Sequence, residues 1–396
     1  MQVILGVDTP DGVASTFMSD AVFFIMGSLM LAVSIVSQGL DKRLALGIIN
    51  VTENKTWRIV FGFISISAVL SSFIGEHTVA AMMLPVALSL IKNAGLPLDK
   101  STRLSSLLLF SIAYGCAMGS IGTPSGGGRN VIMIGYLSEF GYGNISYVKW
   151  MLYTYPLLLL EIPLATVVLW FSFKPEQKNL DSAVRKLKVN VAKSGKLNGN
   201  QILAILLFIV VFLGWIFLSP LIGLGIVALS GVFFYLVFGL IDWKEISHNT
   251  NWGVILLFGA AISLGIQMKE TGAALWVAEK TLINLQFVMQ DLGIVRWFVA
   301  VFLTGVLTNL LSNAATVAVL GPIVLDMGGN PMILGIATSI ASAFAYLTIV
   351  ASPTCMIIHS TGLIKSSDYF KAGWKLFFIS IVLLLLVSYL YWPLLG

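Results

Sequence analysis

Long apolar stretches, separated by short polar segments, run along almost the whole chain. A helix that crosses a bilayer needs about 20 apolar residues, and eight stretches meet this requirement. They lie near residues 20–38, 104–119, 150–172, 199–217, 221–240, 253–269, 332–350 and 374–394. The pattern therefore predicts an all-α polytopic membrane protein.

Two further apolar stretches, 57–92 and 294–326, are interrupted near the middle by the polar runs GEHT and SNAA, with Pro85 and Pro322 beyond them. Each half is only about 15 residues long, which is short for a crossing. Non-helical backbone at membrane depth is tolerated only where protein or a water-filled cavity surrounds it. We therefore predict that each stretch is a re-entrant helical hairpin whose polar run forms the tip.

The distribution of basic residues supports this topology. If residue 20 lies outside and both hairpins are re-entrant, 18 of the 23 basic residues are cytoplasmic and 4 are outside. An excess of Lys and Arg in cytoplasmic segments is the usual signal of membrane orientation. Treating either hairpin as a crossing would scramble this asymmetry. The remaining residue, Arg129, falls within the membrane region.

The order of the predicted elements repeats in the two halves of the chain. The first repeat, 20–173, contains a span, the inner hairpin 57–92, a broken span at 104–138 and a span at 147–173. The second repeat, 199–396, contains two scaffold spans, a span at 253–269, the outer hairpin 294–326, a broken span at 332–358 and a last span at 374–394. Residues 1–19 are predicted to be an extracytoplasmic lead, and 174–198 a basic cytoplasmic linker.

Matching segments place the two repeats in register. SSFIGEHTVAAMMLP at 71–85 parallels TNLLSNAATVAVLGP at 308–322, and Thr123-Pro124 parallels Ser352-Pro353. The repeats are inverted, because the charge bias makes the first span of one run inward and its partner in the other run outward. Inverted repeats with paired broken helices are typical of secondary transporters and place the binding site near the bilayer midplane.

The composition agrees with a membrane protein and argues against an enzyme. Charged residues make up 10% of the chain, against about 25% in soluble domains, and the mean hydropathy is +0.94. The two cysteines, Cys116 and Cys355, fall in predicted spans and define neither a disulfide framework nor a zinc site. The sequence contains no HExxH or GxSxG motif. We therefore predict no enzymatic activity, no cofactor and no nucleic-acid partner.

Five segments resemble the divalent anion:sodium symporter (DASS) family of the ion transporter superfamily. They are TVAAMMLPVALSL (78–90), LTNLLSNAATVAVLGPIV (307–324), GTPSGGGRN (122–130), ASPTCMI (351–357) and WGVILLFGAAISLG (252–265). The resemblance covers the chain from residue 20 onward and lacks the family's first three spans. We therefore expect a truncated or reduced N-terminal region.

The resemblance implies a symporter of small anions in the cell membrane, driven by Na⁺ and most simply carrying di- or tricarboxylates. It also implies elevator-type alternating access and a homodimer. Three alternatives within the superfamily stay open: H⁺ at the first cation site, a sulfate-like oxyanion as substrate, and a cation/proton exchanger. An intramembrane enzyme is the alternative from another class, and it lacks a catalytic motif.

Members of the family hold substrate carboxylates with Ser-Asn-Thr at each hairpin tip and with the loops of the broken spans. By resemblance, the substrate-binding candidates are Glu76, His77, Thr78, Thr123, Pro124, Gly126, Arg129, Ser312, Asn313, Ala314, Ser352, Pro353 and Thr354. The implied Na⁺ ligands are oxygens of Ser71, Gly75, Glu76, Gly122, Thr308, Leu311, Asn313 and Ala351. No other metal is implied. At the first tip, Gly75-Glu76-His77 replaces the whole triplet.

The charged residues inside the membrane region have several open roles. Glu76 is a candidate Na⁺ ligand, a proton acceptor or a partner of Arg129, whose guanidinium suits pairing with a carboxylate. Arg129 is equally a candidate for binding a substrate carboxylate. Glu161, in the segment LLLLEIPLA, is expected to face the protein and contact another helix, because a charge that faces lipid is costly.

Overall fold

A computed structural model describes residues 2–40, 55–96, 100–181, 183–185, 197–286 and 291–395. The described residues form helices joined by loops, and among them no β-structure is present beyond one isolated bridge between Lys55 and Asn179. Part of the predicted linker 174–198 lies outside the described residues, as do the basic residues Lys42 and Arg43. The prediction of an all-α protein is confirmed.

The described helices of seven or more residues are numbered in chain order. In the first half they are α1 (Pro10–Phe17), α2 (Asp20–Ser37), α3 (Thr56–Ile74), α4 (Glu76–Asn93), α5 (Arg103–Gly119), α6 (Gly128–Glu139) and α7 (Tyr147–Ser172). In the second half they are α8 (Gly199–Phe217), α9 (Leu224–Val237), α10 (Trp243–Asn249), α11 (Trp252–Glu270), α12 (Ala273–Gln286), α13 (Leu292–Leu307), α14 (Asn313–Asp326), α15 (Pro331–Ala341), α16 (Pro353–His359) and α17 (Ser366–Leu390).

Polar residues next to the apolar runs cap the helices and set where they begin. Thr102 Oγ1 accepts a hydrogen bond from the Ser105 N–H (3.1 Å) at the start of α5. Asn198 Oδ1 accepts one from the Gln201 N–H (2.8 Å) at the start of α8. Each cap satisfies a backbone donor that has no partner inside its own helix.

Six described helices are long and apolar enough to cross a membrane, namely α2, α3, α7, α8, α11 and α17. All but α3, an arm of the inner hairpin, correspond to predicted spans. The predicted spans at 104–119, 221–240 and 332–350 contain the shorter helices α5, α9 and α15, of 17, 14 and 11 residues. The third is short because the chain leaves helical geometry after Ala341, inside an apolar run in which hydropathy shows no boundary.

The inner hairpin arms are longer than predicted, and both hairpins break at the predicted polar tips. The inner arms α3 and α4 have 19 and 18 residues rather than about 15. The chain reverses at Gly75, whose φ of 83° is readily adopted by glycine alone. Pro85 and Pro322 lie inside α4 and α14 and do not end them. The polar tip residues, and not the prolines, therefore mark the breaks.

The lead before α2 contains a helix that the sequence pattern did not predict. Residues 10–17 form α1, whose start is capped by Thr9. Thr16 Oγ1 donates to Ser263 Oγ on α11 at 3.0 Å, and Gln267 Nε2 of the same helix donates to Asp8 Oδ2 at 2.8 Å. The segment thus packs on the first span of the second repeat.

Each hairpin has both of its outer ends at one end of the molecule. For the inner hairpin, Gln177 Nε2 donates to the Ala94 carbonyl just after α4 (3.1 Å), and the Gln177 carbonyl accepts from Thr56 Oγ1 at the start of α3 (2.7 Å). For the outer hairpin, Arg296 Nε near the start of α13 donates to the Met327 carbonyl just after α14 (2.9 Å).

The first broken span connects these two ends. At its start, the Arg103 N–H donates to Glu176 Oε1 (3.1 Å), beside the residue that holds the inner hairpin. Just after its end, Tyr142 Oη donates to Asp326 Oδ1 (3.4 Å) at the base of the outer hairpin. The two hairpins therefore enter from opposite ends, and their tips meet in the middle of the molecule.

The same three hydrogen bonds attach each hairpin to the broken span of its own repeat. The side chains of two adjacent hairpin residues donate to backbone carbonyls at the end of the first helix of the broken span. A threonine in the break then donates to the backbone carbonyl of the second of these two hairpin residues. The first repeat has Ser71 Oγ–Cys116 O (2.8 Å), Ser72 Oγ–Gly119 O (2.8 Å) and Thr123 Oγ1–Ser72 O. The second has Thr308 Oγ1–Ser342 O (2.6 Å), Asn309 Nδ2–Phe344 O (2.9 Å) and Thr348 Oγ1–Asn309 O (2.7 Å).

These bonds correct one detail of the predicted register. Thr123 is equivalent to Thr348, and not to Ser352 as the shared hydroxyl-proline pattern indicated. With this pairing, Gly128 and Pro353, the first residues of α6 and α16, become equivalent. Short sequence motifs cannot reveal this register, because it depends on which carbonyl each hydroxyl reaches.

Candidate functional site

Three half-helices begin at one central cavity of about 180 Å³. The first residues of α4, α6 and α14 (Glu76, Gly128 and Asn313) all line it, and Pro353 of the short helix α16 lines it as well. The first N–H groups of a helix have no partner within the helix, and the aligned peptide dipoles add partial positive charge there. Several such ends around one cavity suit an anion.

The remaining wall of the cavity is apolar and comes from the first span of each repeat. The wall residues are Phe24, Ile25 and Leu29 of α2 and Val254, Leu257 and Phe258 of α11. These residues were not predicted, because nothing in a continuous apolar run marks the face that borders a cavity. The available signal was the equivalence of the two spans in the repeat.

Glu76 lies at the centre of a polar network that joins the two tips. The residue is 7% exposed. Its Oε1 accepts from Asn313 Nδ2 at 3.2 Å and lies 3.7 Å from Arg129 Nη1, and its Oε2 accepts from Ser120 Oγ at 3.3 Å. Ser120 Oγ in turn accepts from Arg129 Nη2. Since buried charges need a partner and hydrogen bonds, this network accommodates a carboxylate between the tips.

Of the roles predicted for Glu76, the pairing with Arg129 is thus present in the structure. Arg129 is 2% exposed, and its Nε has no hydrogen-bond partner among the described residues. The guanidinium therefore keeps one donor that the pair with Glu76 does not use. His77, the next residue of the tip, lines the same cavity.

The glycine run before Arg129 allows the backbone of the first break to pass close to its neighbours. A Cβ at Gly126 would lie 2.7 Å from the Ser120 carbonyl oxygen, and one at Gly128 would lie 2.1 Å from Cζ of Phe258. Both distances are shorter than real Cβ contacts, so a larger residue would displace these groups. The run therefore places the start of α6, and with it Arg129, against the cavity.

Of the implied Na⁺ ligands in the second repeat, Thr308 and Asn313 lie together behind the outer tip. Thr308 Oγ1 lies 2.6 Å from the Ser342 carbonyl oxygen and 3.0 Å from Asn313 Oδ1. Leu311 is 42% exposed at the tip, and Ala351 is buried. Ser342 was not predicted as a ligand, although the end of a half-helix exposes carbonyl oxygens that suit a cation.

The first set of proposed Na⁺ ligands has more of its oxygens engaged by hydrogen bonds. Ser71 Oγ donates to the Cys116 carbonyl (2.8 Å), and the Gly122 carbonyl accepts from Thr154 Oγ1 (2.9 Å). The Gly75 carbonyl accepts from the Val79 N–H at 3.3 Å. Each of these oxygens retains a lone pair, and the Glu76 carboxylate lies directly after Gly75.

Most of the predicted substrate-binding residues line the cavity. They are Glu76, His77, Pro124, Gly126, Arg129, Ser312, Asn313, Ala314 and Pro353. Thr78, Thr123, Ser352 and Thr354 are not among the lining residues. Thr123 instead holds the first break to Ser72, and Ser352 caps α16 by accepting from the Thr354 N–H at 3.2 Å. Ser28 and Ser125 line the cavity and were not predicted.

A family comparison identifies the architecture that surrounds this site. The profile described as "Sodium:sulfate symporter transmembrane region" matches residues 1–396. The chain belongs to this family. The resemblance to the DASS family is thereby confirmed, and the chain is a multi-pass membrane protein of a transporter family.

Relatives within the sodium:sulfate symporter family match almost the whole chain. An uncharacterized transporter of Haemophilus influenzae is 28% identical over an alignment of 412 positions, which covers 99% of this chain and 85% of the relative. The sodium-dependent high-affinity dicarboxylate transporter 3 of Caenorhabditis elegans is 26% identical, and the match covers 99% of this chain and 78% of the relative. The sodium-dependent dicarboxylate transporter SdcS of Staphylococcus saprophyticus is 27% identical, with 97% and 79% covered.

A solved structure supports the fold of this family member. The YdaH transporter of Alcanivorax borkumensis, whose crystal structure shows an unusual topology, superposes with a TM-score of 0.61. The match covers 96% of this chain and 88% of YdaH at 14% identity. At this identity the likeness concerns the fold alone.

Proposed function

We propose that this member of the sodium:sulfate symporter family couples the inward movement of Na⁺ to the uptake of small di- or tricarboxylates. The observation that carries the proposal is the cavity where both hairpin tips, three helix N-termini and Arg129 meet. An anion in this cavity would face backbone N–H groups and a guanidinium at once. Relatives named as sodium-dependent dicarboxylate transporters support the same substrate class and coupling ion.

Glu76 limits how such a substrate binds. Its carboxylate already contacts Asn313 Nδ2 and Arg129 Nη1, the side-chain donors expected to serve the substrate. Two carboxylates that share these donors repel each other unless a cation or a proton joins them. We therefore propose that Na⁺ or H⁺ enters beside Glu76 together with the substrate, while the free Nε of Arg129 binds a substrate oxygen.

The second cation is proposed to bind at the outer hairpin. Thr308 Oγ1 already lies 3.0 Å from Asn313 Oδ1 and 2.6 Å from the Ser342 carbonyl oxygen. Asn313 belongs both to this cluster and, through Nδ2, to the contact with Glu76. Na⁺ at the cluster would orient the Asn313 amide toward the cavity, which gives a physical route for coupling ion and substrate binding.

The proposed mechanism is elevator-type alternating access, in which the hairpins and broken spans move as one unit. Asn130 Oδ1 of α6 accepts from Ser339 Oγ of α15 at 3.0 Å, so the two broken spans are joined to each other. A separate set of bonds joins α2 to α9 and α8: Leu224 N–H to Asp20 Oδ2 (3.0 Å), and Gln201 Nε2 to the Gln38 carbonyl (2.9 Å). The end of the molecule that holds Gln177 is proposed to face the cytoplasm. The protein is also proposed to form a homodimer, as the family resemblance implies.

Uptake by purified protein in proteoliposomes tests the function. Labelled dicarboxylates, tricarboxylates, monocarboxylates and sulfate are supplied with an inward Na⁺ gradient or an inward proton gradient, each imposed alone. We expect dicarboxylate accumulation that needs Na⁺ and disappears when K⁺ replaces it. No uptake of any anion under either gradient would contradict the proposal. Sulfate is the second candidate substrate, because the matching family profile is described as a sodium:sulfate symporter region.

The variant Glu76→Gln tests the proposed role of the tip charge. It keeps the shape of the side chain and removes the carboxylate that is proposed to bind Na⁺ or H⁺, so uptake is expected to lose part of its dependence on pH and Na⁺ concentration. The matched control is Glu139→Gln at the end of α6, which is not a lining residue. Unchanged pH and Na⁺ dependence in Glu76→Gln would show that the pair with Arg129 is structural.

A further inference from the structure

A second buried carboxylate lies away from the transport cavity and has no ionic partner. Glu161, in the middle of α7, is 0% exposed. Neither of its carboxyl oxygens forms a hydrogen bond with the described residues. It faces the protein interior, as expected from the sequence. A buried carboxylate without a partner is among the least favourable groups in a protein core, so its protonation state requires an explanation.

Two hydroxyl groups next to Glu161 are unpartnered as well. Ser380 Oγ of α17 lies beside the Glu161 carboxyl and beside the Tyr346 hydroxyl, yet none of the three groups has an aligned hydrogen bond among the described residues. Glu161 and Ser380 occupy the fifteenth position of α7 and of α17, the equivalent last spans of the two repeats. These helices pack against each other, so the repeat places the carboxyl and the hydroxyl face to face at mid-helix.

The cluster of Glu161, Ser380 and Tyr346 is connected to the transport cavity through the second break. Tyr346 lies between α15 and α16 and is buried close to both Glu161 and Arg129. The adjacent Leu347 N–H donates to Asn309 Oδ1 of the outer hairpin at 2.7 Å. A change of charge at Glu161 would therefore act on the element that carries Tyr346 and, through it, on the guanidinium beside Glu76.

The other ionisable groups around α7 are engaged elsewhere or lie at its ends. On the described elements packed against α7 they are Arg58 of α3, Arg103, Tyr114 and Cys116 of α5, and Asp368, Tyr369, Lys371, Lys375 and Tyr389 of α17. Lys375 Nζ donates to Ser172 Oγ (3.1 Å), and Lys371 lies over the Phe173 ring (5.1 Å). Both positions are about three helical turns from Glu161. Tyr114 Oη donates to the Tyr346 carbonyl at 3.1 Å.

We propose that Glu161 is a proton-binding site that gains and loses one proton during the transport cycle, with the hydroxyls of Ser380 and Tyr346 as its hydrogen-bond partners. On protonation, a hydronium ion gives one proton to a carboxyl oxygen. One O–H bond of the hydronium breaks, one O–H bond forms on the carboxyl group, and the hydronium leaves as water. The neutral acid then donates to Ser380 Oγ and fits the apolar interior without a counter-ion. Release of the proton needs water at the site, which movement of α15, α16 and α17 against α7 would admit. The use of this proton during a transport cycle rests on the proposed transport function, whereas the proton-binding site itself does not.

Infrared difference spectroscopy on the reconstituted full-length protein tests the site without any transport assay. Spectra recorded at acidic and alkaline pH are expected to show a carboxylic-acid carbonyl band that is lost in Glu161→Gln and retained in Glu76→Gln. Ser380→Ala and Tyr346→Phe each remove one partner hydroxyl, so each is expected to shift the band. Replacing K⁺ by Na⁺ at fixed pH is expected to leave it unchanged.

Three results would overturn the proposal. The first is a set of titrating bands that Glu161→Gln does not alter. The second is a Glu161 band that persists at every pH, which would make the acid a permanent structural group. The third is loss of the band on addition of Na⁺, which would make Glu161 a cation ligand. Failure of all anion uptake would contradict the proposed function and leave these spectra informative.

Uptake measurements then test the coupling. With equal Na⁺ on both sides of the membrane, an inward proton gradient is expected to stimulate uptake by the unsubstituted protein. Glu161→Gln is expected to lose this stimulation and to keep Na⁺-driven uptake. Glu161→Leu, which also removes the polar group, should give the same loss. Retained stimulation in a folded Glu161→Gln protein, judged by its size-exclusion profile, would contradict the coupling.

Discussion

The two hairpin tips meet at one cavity but differ in charge. The outer tip is uncharged: Ser312 Oγ caps α14 by accepting from the Ala315 N–H at 3.3 Å, and Asn313 follows it. The inner tip has no side-chain cap; Gly75 turns the chain, and the carboxylate of Glu76 stands in the first turn of α4. The same backbone device, a helix that begins at the cavity, thus presents an amide in one repeat and a charge in the other.

The broken spans also differ in charge, and the difference matches that of the tips. Arg129 is the second residue of α6, and the equivalent position in α16 is Thr354. In the first repeat the charged tip residue Glu76 therefore pairs with the charged Arg129. The corresponding positions of the second repeat hold the uncharged residues Asn313 and Thr354. A charge at the inner tip is tolerated because its counter-charge comes from the broken span of the same repeat, and the pair adds no net charge to the cavity.

The largest effect is expected when the charge pair is broken. Arg129→Met leaves Glu76 buried without its counter-charge, which costs about 3–5 kcal/mol, so we expect a lowered unfolding temperature in detergent and no uptake. Adding Glu76→Gln removes the orphaned charge and should restore most of the thermal stability. A double variant no more stable than Arg129→Met would show that the two residues do not act as a pair.

The next effect concerns the space around the two loops. In Gly128→Ala the new Cβ would lie 2.1 Å from Cζ of the buried Phe258, and overpacking of this kind costs about 1–3 kcal/mol. Pro353→Ala, at the equivalent position of α16, adds no atom and should stay within about 0.5 kcal/mol. Thermal unfolding of both variants measures the difference, and equal stabilities would mean that the glycine is not required by packing.

A smaller difference is expected between the two hairpin hydroxyls. Thr308 Oγ1 contacts Asn313 Oδ1 and the Ser342 carbonyl, whereas Ser71 Oγ contacts the Cys116 carbonyl. Removing one such interaction costs about 1 kcal/mol, or roughly a fivefold rise in the half-saturating Na⁺ concentration. Uptake as a function of Na⁺ should show this rise for Ser71→Ala and a larger one for Thr308→Val. The reverse order would place the stronger cation site at the inner tip.

The smallest effect is expected at Thr354, which matches Arg129 in position but does not line the cavity. Its hydroxyl lies 2.8 Å from Ser352 Oγ within the cap of α16. Thr354→Val should therefore leave the initial rate of uptake within about twofold of the unsubstituted protein. A large loss of uptake in a stable Thr354→Val protein would restore this residue to the substrate site.

Local patterns in the sequence predicted the elements that local physics controls. Apolar length and the polar interruptions at Glu76 and Asn313 indicated the helices and the hairpin tips, since a backbone group in an apolar medium must bond within its own helix unless protein or water surrounds it. The end of α15 at Ala341 was not predictable in this way, because the break lies in an apolar run and is held by bonds to a hairpin more than thirty residues away.

By itself, the sequence determined the all-α class, the two repeats, the tips and the residue types suited to an anion and a cation. The tertiary structure alone decided that Glu76 bridges Arg129 and Asn313, that α2 and α11 close the cavity, and that Glu161 meets Ser380. The division has one physical reason. Helices form from hydrogen bonds a few residues apart, whereas the protonation and partner of a buried charge depend on groups that only packing brings within a few ångströms.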